Sequence, residues 1–136
     1  YDMSDRLVGS EICIRDRYQF TMMPKSEAEA QSIRKIVNMF RFYMSPSFEG
    51  AANSSRVFVV PATFDIEYRI TGKQQENMFL NKVSTCVLES CDVTYGGERT
   101  QFFRPTDDGA PPVQTILGLQ FRELELITRE RIAAGF

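Results

Sequence analysis

The sequence contains no histidine and no tryptophan, and it has only three cysteines. Without histidine, the Ser–His and Cys–His pairs that activate a nucleophile cannot form from this chain's residues. A glycine-rich phosphate loop, an HExxH motif and an EF-hand loop are also missing. Most enzyme classes depend on one of these residue pairs or motifs. Their absence from the sequence predicts that the protein is not an enzyme.

The cysteines, Cys13, Cys86 and Cys91, are odd in number and do not resemble a secreted disulfide framework, which favours a reducing cytoplasm. Cys86 and Cys91 could form half of a metal site. With no histidine and one further cysteine, however, the usual ligands cannot complete a closed tetrahedral zinc site. We therefore expect buried or idle thiols and no metal or other cofactor.

Strong charge of either sign and long apolar runs are missing as well. The net charge of −2 offers no basic face for gripping phosphates, so tight nucleic-acid binding is not predicted. No apolar run approaches the roughly 20 residues that span a bilayer, and the first four residues do not resemble a signal peptide. We expect no membrane partner. Because residue 1 is Tyr1, we also expect a processed chain or one portion of a longer polypeptide.

What is present suits one packed domain over residues 1–136: 43% of the residues are hydrophobic, including 11 Phe, and 25% are charged. Residues 11–23 alternate as a half-buried strand. Ser26 and Glu29 have the spacing of a capping box, and apolar residues then recur at helical spacing up to Met44, before Pro46. These apolar residues, Ala30, Ile33, Ile36, Val37, Phe40 and Met44, form one stripe along the helix. We expect this stripe to pack on the chain's own sheet. The alternative is that the helix binds in a groove of a partner protein.

The second half of the sequence predicts further strands. Residues 48–56 are the expected mobile loop, residues 57–60 and 63–70 are extended, and residues 83–95 form a β-branched strand. A long exposed hairpin connection follows over residues 96–112. The closing strand then places Val113, Thr115, Leu117, Leu119 and Phe121 on one face. The apolar positions shift to Leu124 and Leu126, which predicts a bulge near residues 122–123. Residues 128–134 could add a short helix.

Acidic pairs are the remaining candidates for acid–base chemistry. Asp107 and Asp108 precede Gly109 and two prolines, and this setting favours a turn over a catalytic pair. Glu123 and Glu125 fall on one strand face and are expected to be solvated or to pair with basic residues of an adjacent subunit. Arg15 and Arg17, on either side of Asp16, carry the same two interpretations. No residue is therefore assigned a catalytic, cofactor-binding or metal-binding role.

Several segments, taken in order, resemble one family. They are residues 18–25 (YQFTMMPK), the helix Glu27–Met44 with IRKIV and MFR, residues 60–68 (VPATFDIEY), residues 86–90 (CVLES), residues 117–127 (LGLQFRELELI) and residues 132–136 (IAAGF). In this order they resemble the baseplate tube-initiator and tube-cap proteins of contractile-tailed, T4-like bacteriophages. The resemblance covers nearly the whole chain from Tyr18. Residues 1–10 are shorter than the N-terminal region of many members of that family.

The resemblance implies a mainly β fold with one α-helix, an antiparallel β-sandwich or barrel of the phage tail-tube type. Copies would close a six-fold ring that sits in the tail baseplate of the virion, after assembly in the host cytoplasm. Expected partners are further copies of the chain, the tail-tube protein and the baseplate hub proteins, with DNA only as cargo passing through the lumen. A ring also removes exposed sheet edges, and a slightly acidic lumen would let DNA slide.

Two other interpretations stay open at this point. The chain could be the tail-tube subunit itself, an adaptor or a terminator ring protein of a contractile injection machine. It could instead be a small carboxylate-dependent hydrolase or a ligand-binding β-barrel that uses Asp107, Asp108, Glu123 and Glu125. Ring formation separates the assembly interpretations from the last one.

Overall fold

The computed structural model describes residues 15–48, 58–126 and 128–136. In chain order the elements are strand β1 (Arg15–Met22), helix α1 (Glu27–Met44), strands β2 (Ser47–Phe48), β3 (Phe58–Val59), β4 (Cys86–Tyr95) and β5 (Thr115–Glu123), and helix α2 (Arg129–Ala133). The described chain is therefore mainly β, as the sequence predicted. The predicted short helix near residue 130 is present.

The three long strands form one antiparallel sheet in the order β1-β5-β4, so the last strand in sequence lies in the middle. Within the described residues this sheet is open, with β1 and β4 at its edges. The short strands β2 and β3 form a separate antiparallel pair, in which Ser47 is opposite Val59 and Phe48 is opposite Phe58. Of the predicted mobile loop, Phe48 belongs to β2 and the rest lies outside the described residues.

The chain divides into two compact units, and each long strand contributes residues to both. Of the described residues, one unit contains 15–16, 63–88, 121–126 and 128–136, and the other contains 17–48, 58–62 and 89–120. We call them unit 1 and unit 2. The single domain expected from the sequence stays a prediction.

Strand β5 supplies much of the core because every second residue from Thr115 to Glu123 is buried. In unit 2 the buried side chains include Leu117 and Leu119 of β5 and Val37 of α1. In unit 1 the ring of Phe121 meets the ring of Phe64 edge-on, with 5.5 Å between their centroids. Successive side chains of a strand point to opposite faces of the sheet, so this alternation means that one face of β5 is covered and the other is more open.

Helix α1 begins and ends as its sequence predicts. The amide of Glu29 donates to the hydroxyl of Ser26, while the carboxylate of Glu29 accepts from the amide of Lys25 at 2.7 Å. Both bonds satisfy amides near the helix start that would otherwise lack partners. The helix ends at Met44 because Ser45, which precedes Pro46, adopts extended backbone angles.

The predicted strand over residues 63–70 is wrong as a regular strand. Burial alternates from Phe64 to Tyr68 as expected, but the backbone pairs only through isolated bridges, Phe64 with Cys86 and Arg69 with Glu76. Alternation reports which side chains face inward, whereas a strand also needs a continuous ladder with a partner. The turn at Gly72 is confirmed, and its φ of 78° is a conformation that glycine adopts without strain.

The bulge predicted near residues 122–123 is also wrong. Alternating burial continues without a slip to Glu123, where β5 ends, and Leu124 and Leu126 are exposed beyond it. The amide of Leu124 donates to the carbonyl of Thr85. The apparent shift in the sequence arose because a glutamate, not an apolar residue, occupies the last inward position of the strand.

The long hairpin connection between β4 and β5 is confirmed. Its tip is a turn in which the amides of Thr106 and Gly109 each donate to the carbonyl of the other, at 2.8 and 3.1 Å. The hydroxyl of Thr106 also donates to the Gly109 carbonyl, and Gly109 has a φ of 118°. Asp107 and Asp108 therefore belong to a turn, as the sequence favoured.

Candidate assembly surfaces

Unit 2 carries exposed apolar side chains near the end of α1 and in and after β3, and we call this set the platform. It consists of Met39, Phe42 and Tyr43 of α1 and Phe58, Val59 and Val60 in and after β3. The rings of Phe42 and Tyr43 meet edge-on with centroids 5.2 Å apart, and the Tyr43 carbonyl accepts from the amide of Ala62. The end of α1 is thereby joined to the segment that carries Val60. Phe42 is 75% exposed and Val60 is 82% exposed, which is unusual for such residues in a protein that works alone.

Sequence reasoning did not find this platform. It assigned one apolar stripe to α1, made of Ala30, Ile33, Ile36, Val37, Phe40 and Met44, and expected the opposite side to be polar. Between Ile36 and Met44, however, only Asn38 and Arg41 are polar. A helix with apolar residues on nearly all sides must bury more than one face. The apolar residues between Ile36 and Met44 could therefore have indicated a second contact face.

A second exposed apolar feature lies in unit 1, and we call it the knob. Met78 and Phe79 are 92% and 98% exposed, and Leu80 is 47% exposed. Asn77 fixes their backbone: its side-chain oxygen accepts from the amide of Phe79, and its carbonyl accepts from the amide of Leu80. The amide of Asn77 donates in turn to the Tyr68 carbonyl at 2.7 Å. The knob is thus held by its own turn while its side chains meet solvent.

Unit 2 also contains a groove between α1 and the hairpin connection, with a volume of about 370 Å³. Its apolar walls are formed by Ala30, Ile33 and Val37 of α1 and by Tyr95, Phe102, Pro111 and Pro112. Charged side chains, among them Glu27, Arg34 and Asp108, also line it. Arg41, another lining residue, lies close enough to Cys91 on β4 to oppose the rise in the pKa of its thiol.

One face of the sheet in unit 2 is polar. The amide of Gln120 on β5 donates to the carboxylate of Glu89 on β4 at 3.2 Å. A shallow depression beside them is lined by further residues of the three strands, including Arg17, Gln19, Ser90 and Asp92. On β1 the exposed residues are Arg17, Gln19, Phe20 and Thr21. This face mixes charges of both signs with amides and hydroxyls, so it is built to meet water or a polar partner.

At the end of β5 in unit 1 lies a buried polar cluster around Glu123. The hydroxyl of Ser84 donates to Oε2 of Glu123 at 3.3 Å. Burial raises the pKa of Glu123, the nearby charge of Asp16 raises it further, and the Ser84 hydrogen bond opposes this rise. Oδ2 of Asp16 is buried and has no hydrogen-bond partner. The cluster thus brings two carboxyls and one hydroxyl together at the end of the sheet in unit 1.

Cys86 lies next to this cluster and is fully buried. Its thiol is close to the carbonyl of Phe64 at 3.3 Å. Burial, together with the charges of Asp16, Glu123 and Asp65, raises the pKa of the Cys86 thiol to about 11. Cys91 is half-buried, and burial raises its pKa as well, although Arg41 opposes the rise. Cys13 lies outside the described residues.

The expectation that Glu123 is solvated is wrong, whereas Glu125 is exposed as expected. Glu123 is only 4% exposed, whereas Glu125 is exposed and forms an ion pair with Arg131 of α2. The two carboxylates differ in surroundings because β5 ends at Glu123. The other charged residues for which the sequence left solvation or an intersubunit ion pair open lie around Asp16. Arg17 is exposed, and Asp16 is half-buried.

Within residues 15–48, 58–126 and 128–136, no group of three or more Cys, Asp or Glu side chains is arranged to hold a metal ion. In the same part of the chain, no helix is both long and apolar enough to cross a membrane. The sequence matches no protein-family model and no curated protein. The surfaces described above therefore supply the argument about function.

Proposed function

We propose that this chain is a structural subunit of a phage tail baseplate. Copies of it form a six-fold ring that initiates or caps the tail tube and continues the DNA-conducting lumen. The chain acts through its contact surfaces and not through catalysis. Its partners are further copies of itself, the tail-tube protein and the hub proteins.

The observation that carries this proposal is the amount of large apolar surface left in solvent. Phe42, Val60 and Phe79 are 75%, 82% and 98% exposed. Phe42 lies within α1, and the amide of Phe79 donates to the side chain of Asn77. Monomeric soluble proteins rarely expose contiguous apolar patches of more than a few hundred Å². Such residues are explained if other subunits cover them in the assembled tail.

The open sheet supports the same proposal. The outer edge of β4 is occupied at Cys86 by the bridge to Phe64, and β1 is the other edge strand of the described sheet. Edge strands in a soluble protein invite pairing with another chain, and a closed ring removes that hazard. In this arrangement the polar face with Gln120 and Glu89 lines the lumen. Its mixed charge and negative carboxylates keep DNA from adhering.

The test is the quaternary structure of the purified chain. Negative-stain electron microscopy and native mass spectrometry should show rings, with six copies expected in each. Added tail-tube protein should extend from these rings if they initiate or cap the tube, whereas a tube subunit would polymerise by itself. A protein that stays monomeric at every concentration, with and without tube protein, would overturn the proposal.

A further inference from the structure

The knob in unit 1 and the groove in unit 2 are two different surfaces, and both present apolar side chains. The knob presents Met78 and Phe79 almost wholly to solvent. The groove has walls of apolar and aromatic side chains, including Ile33, Val37 and Phe102. Its volume of about 370 Å³ lies within the range of about 300–1,000 Å³ that pockets use to enclose small ligands. It can therefore accept one or two large side chains.

We propose that the knob of one copy fills the groove of the next copy around the ring. This inference rests on the proposed function, because it names the contact by which neighbouring copies join. Met78 and Phe79 meet solvent in the single chain, and every further copy carries the same knob, so a ring of copies supplies one knob for each groove.

The hydrogen bonds of Asn77 make the knob suitable for this role. They fix the backbone of Phe79 and Leu80 before any partner arrives. The base of the knob is further held by the bridge between Arg69 and Glu76 and by the ion pair of Glu76 with Lys82 at 3.6 Å. A segment that is already ordered loses little conformational entropy on binding, and this raises affinity.

The available area indicates a ring more than an isolated dimer. A buried aromatic side chain contributes about 150–250 Å², so Met78 and Phe79 together contribute on the order of 400 Å². A stable interface covers about 800 Å² on each partner. One knob in one groove is therefore a weak contact. Because knob and groove are different surfaces, each copy can make two such contacts, and closing the ring stabilises all of them together.

The first experiment compares the self-association of the full chain with that of the double variant Met78→Ala/Phe79→Ala by sedimentation velocity. Loss of an anchor of this kind weakens a contact by at least about thirtyfold. The matched control is Ile132→Ala, which removes an apolar side chain that is 59% exposed elsewhere in unit 1. The control should assemble like the wild type, and circular dichroism should show that all three proteins are folded.

The second experiment tests the pairing itself by mixing. Ala110→Trp fills the groove but keeps the knob, while Met78→Ala/Phe79→Ala removes the knob but keeps the groove. Each variant alone should be monomeric. Because the mixed pair makes only one weak contact and cannot close a ring, the equimolar mixture is examined by sedimentation velocity at the highest attainable concentration, where a species of two chains and nothing larger should form. Gln31→Trp, on the helix side of the groove, provides a second blocked variant in case Ala110→Trp does not fold.

The outcomes separate the two proposals. If the wild type forms rings and the knobless variant forms them equally well, the knob–groove contact is wrong and the ring stands. A mixture of the two variants that stays monomeric would also overturn the contact. If the wild type itself never assembles, the proposed function fails.

Discussion

The hydroxyl of Ser84 donates to Oε2 of Glu123 over 3.3 Å, and both side chains are only 4% exposed. Ser84 lies two residues before β4, and Glu123 ends β5, so this bond joins the segment leading into β4 to the end of the neighbouring strand. Asp16, at the start of the third strand, faces the same carboxyl.

We predict that Glu123→Gln changes the pH dependence of stability. The folded-state pKa of Glu123 is raised by burial and by Asp16, so its contribution to stability is complete below the unfolded pKa and is lost as pH rises through the folded pKa. Glutamine stays neutral and keeps an acceptor for Ser84. The variant should therefore match the wild type near pH 4 and have a higher unfolding free energy than the wild type at neutral pH.

The control for this prediction is Glu125→Gln, because Glu125 is exposed and pairs with Arg131. An exposed ion pair contributes about 0–1 kcal/mol, so this variant should show no gain at neutral pH. Urea denaturation at several pH values provides the measurement. The prediction would be contradicted if the difference in unfolding free energy between Glu123→Gln and the wild type were the same at pH 4 and pH 7.

We predict that Cys86 resists alkylation in the folded protein. Its pKa is raised from 9.0 to about 11, which lowers the reactive thiolate at pH 8 by about a hundredfold, and burial adds a barrier to access. The corresponding stability is present below pH 9.0 and is lost as pH rises through about 11. Mass spectrometry after iodoacetamide treatment can measure labelling at Cys86 with and without urea. Equal rates in the two conditions would show that the thiol is not enclosed.

We predict that Ser26→Ala destabilises the protein by about 1 kcal/mol. The substitution removes the hydroxyl that accepts from the Glu29 amide at the start of α1. Ser32→Ala is the matched control, since Ser32 lies within the same helix and only donates to the Ala28 carbonyl. That substitution should change stability little, because alanine favours the helix interior. Similar losses for both variants, measured by urea denaturation, would argue against the cap.

We predict that Phe42→Ser and Val60→Ser reduce the stacking of rings without dissolving the rings. Both residues belong to the platform, and under the proposed function this surface would contact the next ring or the hub. Loss of either apolar side chain should weaken that association by at least about tenfold. Electron microscopy can count stacked and single rings, with Leu126→Ser as the control at another exposed apolar position. Loss of the rings themselves would place the platform within the ring interface.

Local signals in the sequence predicted the local structure well. Ser26, Pro46 and the apolar spacing between them define α1, and Asp107, Asp108 and Gly109 define a turn. In each case neighbouring residues supply the hydrogen bonds or backbone angles that decide the structure. Thr128 likewise caps α2 through the amide of Arg131.

Features that depend on distant parts of the chain were not predicted. Glu123 looked solvated because the sequence does not show that Ser84 and Asp16 lie beside it. Phe64 to Tyr68 alternate as a strand would, but the sequence does not show that the available partner at Cys86 gives only one bridge. The platform and the knob were missed because an apolar residue is normally expected inside, and only the structure shows which ones are left outside.

The strand order β1-β5-β4 also has a consequence for how the chain is made. Met22 ends β1 long before the ribosome adds Thr115, the first residue of the strand between β1 and β4. Until then, neither flanking strand has its main neighbour, and folding must wait for contacts between remote segments, which are slow to form. In nascent chains the edges of β1 therefore stay unpaired, and open to pairing with other chains, for most of the synthesis. Expression at lower temperature should favour soluble product by slowing the aggregation that competes with completion of the sheet.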